Sequence, residues 1–146
     1  PYPYDGSKRL LDLLHLGSYK IWNQRGVKQY VTHPGIFTSF SFFQFLNVFT
    51  YYGMLLLFYL ARWLGSPWHN ISGYTAANAP IHSAFHPDDV DQQKKLGSAS
   101  NRSGEPFLIS TDIDPTGADE VYEYIERLAV EWDKKLKDQI VDTRKP

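Results

Sequence analysis

The sequence of 146 residues contains no cysteine, and between Gln29 and Ala61 it contains no aspartate, glutamate, lysine or arginine. The absence of cysteine excludes disulfide bonds and thiolate metal sites. The formal net charge of -1 and the lack of a basic run give no electrostatic case for nucleic acid. The length predicts one domain or part of one.

The clearest chemical signal lies near the start of the chain, where Tyr4 and Lys8 are four residues apart. Apolar residues at helical spacing follow, which predicts an α-helix to about Asn23. Positions i and i+4 share a helix face, so the two side chains are expected to meet. An ammonium beside a phenol favours the phenolate, which makes tyrosine a usable general acid or base. Because the chain has 10 tyrosines, the pair alone is weak evidence.

A second signal is the order of the elements that follow. Gly26 is predicted to end the helix, the residues from Val27 to His33 predict a strand, and Pro34-Gly35 predicts a turn. The predicted helix and the predicted strand have similar lengths and run in opposite directions. The turn is therefore expected at the same end of the layer as Tyr4. In an open α/β sheet, ligands bind where strands end and helices begin. Both signals therefore predict a site at the same end of the sheet.

Tyr4-x-x-Ser7-Lys8, the helix, the strand and Pro34-Gly35-Ile36-Phe37-Thr38 together resemble the second half of a short-chain dehydrogenase/reductase. The resemblance implies an α/β fold, the C-terminal part of a Rossmann-like doubly wound parallel sheet. It implies that Tyr4 protonates a substrate carbonyl, and that Lys8 makes the tyrosine more acidic and binds the nicotinamide ribose. It also implies a cofactor-binding set that comprises Tyr4, Lys8, Pro34, Gly35, Ile36 and Thr38.

Four segments are similar to the fungal branch of this family that reduces 3-keto sterols during sterol C4 demethylation: Ser7–Leu14, His33–Ser39, Leu64–Ile71 and Asp114–Gly117. This resemblance implies NADPH as the cofactor and a C4-demethylated sterol ketone as the substrate. It implies the other enzymes of sterol C4 demethylation as partners, and the cytosolic face of the endoplasmic reticulum membrane, or the lipid droplet, as the location.

Neither a glycine-rich pyrophosphate turn nor a strand with the family's catalytic serine is found in the sequence, and we expect both upstream of Pro1. Residues 1–146 are therefore interpreted as the C-terminal part of a longer enzyme, inactive when isolated. Two alternatives remain open. One is a non-catalytic membrane-binding or scaffold fragment, and the other is a reductase of the same family that acts on another steroid or lipid ketone.

The charge-free stretch from Phe40 to Ala61 is long enough to span a bilayer, and aromatic residues and Arg62 flank it as membrane interfaces favour. A buried helix pair or an apolar substrate lid is the alternative. If Phe107–Ile109 joins the same sheet as Val27–His33, one membrane crossing between them is impossible. We therefore expect residues 39–64 to form an apolar segment that contacts substrate and enters one leaflet of a membrane.

The remaining sequence predicts structure more than chemistry. A short helix is expected up to Ala79, stopped by Pro80, and an exposed loop is expected from Asp88 to Glu105. Thr116 is expected to cap a C-terminal amphipathic helix over residues 118–141. His82 and His86 lie four residues apart in a predicted loop between prolines, so we predict no metal site.

Overall fold

The computed structural model describes residues 3–38 and 45–136. The chain divides into two compact units. The helical unit contains Pro1–Arg25 and Pro115–Pro146, and the sheet unit contains Gly26–Asp114.

The described elements follow one another in a fixed order. They are α1 (Pro3–Gln24), β1 (Val31–His33), β2 (Ile36–Phe37), α2 (Val48–Trp63), β3 (His69–Ile71), α3 (Gly73–Ala76), α4 (Asn78–Phe85), β4 (Lys94–Ser100), β5 (Pro106–Asp112) and α5 (Ala118–Lys135).

The helical unit consists of α1 and α5, which pack against each other. The predicted first helix is confirmed, with Leu13 and Tyr19 buried along it. The predicted cap of α5 is wrong, because the residue before the helix is Gly117, whose φ of 88° is left-handed and whose position has no side-chain capping bond. The described part of α5 ends at Lys135, and residues 137–141 of the predicted helix lie outside the described residues.

The main sheet of the sheet unit has the strand order β1-β4-β5. Strands β1 and β4 are parallel, which confirms part of the predicted parallel sheet. Strand β5 is antiparallel to β4, so the sheet is mixed and not parallel throughout. A separate pair, β2 and β3, is parallel. The strand predicted from Phe107 shares the sheet with β1 as expected, and it extends to Asp112.

The strand predicted over Val27–His33 is too long, since β1 begins at Val31. Residues 28 and 29, which precede β1, are held by side-chain hydrogen bonds and not by pairing with another strand. The ammonium of Lys28 donates to Asp88 at 2.5 Å, and the Gln92 side-chain amide donates to the carbonyl of Gln29 at 2.9 Å.

The exposed loop predicted between Asp88 and Glu105 is wrong, because β4 lies within it at the centre of the main sheet. Residues 96–100 are all buried. The small side chains of β4 explain the error. A Cβ on Gly97 would lie 2.6 Å from the Trp68 ring, and the buried Ser98 hydroxyl donates to the carbonyl of Ala76. A strand that is buried through small and polar residues has no apolar alternation to reveal it.

The helix stop predicted at Pro80 is also wrong. Pro80 lies in the first turn of α4, where the missing N–H would have no intrahelical partner. As a result His82 is helical and His86 is the residue after the helix, with stacked rings whose centroids are 5.0 Å apart. Among the described residues no group of three or more metal-ligating side chains occurs.

The described part of the apolar segment forms α2, a helix of 16 residues that begins after Asn47. The Asn47 side chain accepts the N–H of Thr50 at 2.8 Å, which caps the helix. Residues 39–44 of the predicted segment lie outside the described residues. Within the part of the chain that the structure describes, no helix has the length and apolar character needed to cross a membrane.

Candidate active site

Helix α1 places Tyr4 and Lys8 on one exposed face near its N-terminal end. The Lys8 ammonium lies 5.3 Å from the centroid of the Tyr4 ring, so the structure brings the two side chains together. The Ser7 hydroxyl donates to the Tyr4 carbonyl at 2.7 Å, which satisfies a backbone group of the same turn. The side chain of Tyr4 remains accessible, since the residue is 68% exposed.

Both reactive groups are available to a ligand. Within residues 3–38 and 45–136, the Tyr4 hydroxyl has no hydrogen bond and the Lys8 ammonium has no hydrogen bond or ion pair. A phenol donates and accepts, and an ammonium donates three hydrogen bonds. The pair can therefore bind a group that carries oxygen acceptors and supply a proton to it.

The Pro34–Gly35 turn lies at the carboxyl end of β1 in the sheet unit. Gly35 has a φ of 70°, and its N–H donates to the ring Nδ1 of His33 at 3.0 Å. A Cβ on Gly35 would lie 2.4 Å from the Asn70 amide nitrogen and 2.6 Å from the Trp68 carbonyl. Only glycine fits this combination of left-handed backbone and close contact.

Strand β3 and Trp68, the residue before it, hold the residues that follow the turn. The N–H of Ile36 donates to the carbonyl of Trp68 at 2.7 Å, and the N–H and hydroxyl of Thr38 each donate to the carbonyl of Ile71 at 2.8 Å. These donors are therefore used within the protein. The Thr38 oxygen keeps acceptor capacity, and Ile36 is 41% exposed, so the segment offers an acceptor and an apolar contact to a ligand.

Sequence reasoning missed Asn70, which links the turn to the centre of the sheet. Asn70 is 1% exposed, and its amide nitrogen donates to the carbonyl of Pro34 at 2.7 Å and to the carbonyl of Ser98 at 2.8 Å. The neighbouring residue Ile71 has a φ of 66°, which is rare for a β-branched side chain. A short polar strand gave no pattern from which this role could be predicted.

A surface recess of about 360 Å³ opens beside the turn. Its lining residues are His33, Ile36, Trp68, Lys95, Gly97 and Thr111. The rings of His33 and Trp68 meet edge to face with centroids 5.4 Å apart, which fixes one wall of the recess. The recess combines aromatic and apolar groups with the polar residues Lys95 and Thr111, and it lies beside the carboxyl end of β1.

The predicted site residues fall into two groups. Tyr4 and Lys8 belong to the helical unit, and Pro34, Gly35, Ile36 and Thr38 belong to the sheet unit. The first group presents hydrogen-bonding side chains to solvent, whereas the close contacts of Gly35 in the second group are with the protein's own Asn70 and Trp68.

These features define the structural class of the chain. It is an α/β protein with a sheet that contains a parallel pair, a turn at the carboxyl end of that pair, and a helix that exposes a Tyr–Lys pair. Sheets of this kind are consistent with part of a Rossmann-like fold.

Comparison with known proteins identifies the relatives. The chain is 61% identical to the 3-keto-steroid reductase ERG27 of Candida albicans over 100% of its length, and 58% identical to that of Saccharomyces cerevisiae over 98%. It is 41% identical to the 3-keto-steroid reductase of Yarrowia lipolytica over 94%. The resemblance to the fungal 3-keto-sterol reductases is thereby confirmed.

The chain spans only part of these relatives, 42% of the Candida albicans and Saccharomyces cerevisiae proteins and 41% of the Yarrowia lipolytica protein. No family model matches the chain. No solved structure matches it either.

Proposed function

We propose that the chain is the C-terminal part of a short-chain dehydrogenase/reductase that reduces the 3-keto group of a sterol. The observation that carries the proposal is the similarity of the whole chain to proteins named 3-keto-steroid reductases. The Tyr4–Lys8 pair on the exposed face of α1 supplies the chemistry that such a reaction needs. We further propose NADPH as the cofactor and a C4-demethylated sterol intermediate as the substrate.

When bound, the reduced nicotinamide would supply the hydride for the carbonyl carbon of the substrate. Tyr4 donates its hydroxyl proton to the carbonyl oxygen, so that a secondary alcohol forms. Lys8 would hold the ribose hydroxyls through its ammonium, which lies 5.3 Å from the centroid of the Tyr4 ring. Within the sheet unit, Pro34, Gly35, Ile36 and Thr38 are the residues that would hold the cofactor.

Replacement of the Tyr4 hydroxyl tests this assignment. In the complete enzyme, Tyr4→Phe keeps the ring and removes the proton donor, so kcat for a 3-keto sterol should fall by about a hundredfold or more. Tyr74→Phe is the matched control, since Tyr74 is 88% exposed and has no proposed role. Reduction by Tyr4→Phe at the wild-type rate would show that another group donates the proton.

We also propose that α2 docks on the surface of the membrane that supplies the sterol. One side of the helix faces β3, where the Phe58 ring lies 5.6 Å from the His69 ring. The opposite side is apolar and exposed, with Phe49 at 91%, Leu56 at 68% and Trp63 at 67% exposure. A helix that exposes such a stripe and has a basic residue in its last turn, here Arg62, is typical of a membrane interface.

Leu56→Asp in the complete enzyme tests the membrane surface. Burial of a leucine contributes about 1.5–3 kcal/mol, so binding to phospholipid vesicles should weaken by about tenfold or more. Ile81→Asp is the control, because Ile81 is also exposed but lies on α4. Equal vesicle binding by both variants and the wild type would exclude α2 as the docking surface.

The alternative function is a non-catalytic membrane-binding fragment, and the exposed stripe of α2 favours it equally well. The two functions differ in the effect of Tyr4→Phe. A membrane-binding module would bind membranes as well in Tyr4→Phe as in the wild type and would reduce no sterol in either form. A reductase would lose its reductase activity in Tyr4→Phe.

A further inference from the structure

Asn70 makes hydrogen bonds that connect three separate segments of the sheet unit. Its amide nitrogen lies 2.7 Å from the carbonyl of Pro34, in the turn after β1, and 2.8 Å from the carbonyl of Ser98, in β4. Asn70 itself belongs to β3. The side chain therefore fixes the distance between the turn and the central strand at the carboxyl ends of the two parallel strands.

The orientation of the Asn70 amide follows from its neighbours. Two carbonyl oxygens face one end of the side chain, and a carbonyl only accepts hydrogen bonds. The NH2 group must therefore lie at that end. The other end, Oδ1, is buried and has no hydrogen-bond partner in the described part of the chain.

A buried acceptor without a partner costs free energy of folding. An apolar side chain of similar size would avoid this cost. Such a side chain would also lose both donors that hold Pro34 and Ser98. The presence of asparagine at a site that is 1% exposed indicates that the two donors are required.

The surroundings of Asn70 show the same constraint. Gly35 leaves no room for a Cβ because the Asn70 amide nitrogen would lie 2.4 Å away. On the other side, Ile71 has a left-handed φ of 66°, and its carbonyl receives both donors of Thr38. Strained backbone of this kind persists where the surrounding contacts over-determine it, often at functional sites. Asn70 and Ile71 thus hold both ends of the segment from Pro34 to Thr38.

We infer that Asn70 is a positioning residue for the nicotinamide cofactor, an inference that rests on the proposed reductase function. Asn70 is too buried to contact the cofactor. It acts through the Pro34 carbonyl and the Gly35 backbone, which it holds in the conformation that lines the cofactor. Loss of its donors lets the turn move and weakens cofactor binding without removing any group that touches substrate.

The test compares three variants of the complete enzyme. Asn70→Asp keeps the volume but presents a carboxylate to two carbonyl oxygens, and Asn70→Ser keeps one donor. Ser83→Ala is the matched control, because Ser83 is also buried and its hydroxyl donates to the Ala79 carbonyl at 2.9 Å, away from the turn. NADPH dissociation constants, the KM for a 3-keto sterol, and Tm are measured for each.

We expect the Kd for NADPH to rise by about tenfold to a hundredfold in Asn70→Asp, since the variant loses both donors that hold the turn and two hydrogen bonds of ordinary strength correspond to a factor of about this size. The rise in Kd should be smaller in Asn70→Ser. Ser83→Ala should bind NADPH with wild-type affinity, although its Tm should fall by about as much as the Tm of the Asn70 variants. The KM for the sterol should change less than twofold or so in every variant. If Asn70→Asp fails to fold, Asn70→Ser carries the comparison.

Two results would overturn the inference while the proposed function stands. One is wild-type NADPH affinity in the folded Asn70 variants, and the other is an equal loss of affinity in Ser83→Ala. A wild-type complete enzyme that neither binds NADPH nor reduces a 3-keto sterol would instead refute the proposed function, and the inference with it.

Discussion

Gly17 of α1 lies so close to Tyr122 of α5 that a Cβ placed on Gly17 would be 2.6 Å from the Tyr122 Cβ. The same added atom would lie 2.7 Å from the carbonyl oxygen of Ala118. The two helices of the helical unit therefore approach each other through a residue without a side chain. Gly17 determines how closely the helix that carries Tyr4 and Lys8 packs on α5.

Gly17→Ala should destabilise the protein because the backbone of α5 must move. Overpacking of this kind costs about 1–3 kcal/mol. Gly6→Ala on the same helix is the control, since nothing lies within 4 Å of a Cβ at Gly6. That substitution should stabilise the helix by about 0.5–1 kcal/mol. Urea unfolding measures both, and a stabilising Gly17→Ala would contradict the close approach of the helices.

The ion pair between Lys28 and Asp88 gives a prediction about pH. A hydrogen bond from Lys28, followed by its charge, lowers the pKa of Asp88 below its ordinary value of 3.8. The corresponding hydrogen bond with Asp88 raises the pKa of Lys28 above 10.5. Stability from the carboxylate is present above 3.8 and is lost as the pH falls through the folded pKa. Stability from the ammonium is present below 10.5 and is lost as the pH rises through the folded pKa.

Asp88→Asn should therefore lower Tm near neutral pH, and the difference from the wild type should vanish as the pH falls through the lowered pKa of Asp88 in the folded protein. The effect should be small and should decrease in salt, because both side chains are largely exposed. Thermal unfolding of Asp88→Asn, Lys28→Ala and the double variant gives the coupling between them. Equal Tm differences at neutral and acid pH would mean that the ion pair has no part in the effect.

The accuracy of the sequence predictions depended on the type of signal. Helix α1 has apolar residues at helical spacing from Leu10 onward, and its bounds were close to those observed. The strand from Phe107 was recognised by its apolar residues. By contrast, β4 is the central strand but contains Lys94, Lys95 and four residues with very small side chains, so its burial depends on contacts that only the fold creates.

The site shows a similar division. The Tyr4–Lys8 contact follows from four-residue spacing on a helix, which the sequence alone predicts. The role of Asn70 depends on the meeting of three segments that are distant in sequence, with Pro34 36 residues and Ser98 28 residues away. No local pattern encodes such a meeting, and Asn70 could be found only in three dimensions.

Lys8 and Lys20 provide a matched pair for the last prediction. Both lie on α1 with the ammonium near a tyrosine ring, 5.3 Å from that of Tyr4 and 5.8 Å from that of Tyr19, and both are exposed. They differ in the proposed function, because Lys8 is proposed to bind the nicotinamide ribose and Lys20 has no assigned role. Their neighbouring rings also differ, since Tyr4 is 68% exposed and Tyr19 is buried. Lys8→Met keeps the apolar stem and removes the ammonium.

In the complete enzyme, Lys8→Met should raise the KM for NADPH and lower kcat, each by about tenfold or more. The reason is that a hydrogen bond from a charged group contributes about 1.5–3 kcal/mol, which corresponds to at least that factor. Lys20→Met should leave both kinetic constants within about twofold of the wild type, since the loss of an exposed cation above a ring costs little. Steady-state kinetics with NADPH and a 3-keto sterol measure the two variants side by side. Equal effects of the two substitutions would mean that loss of any exposed cation from α1 impairs the enzyme. Lys8 would then have no specific role in cofactor binding.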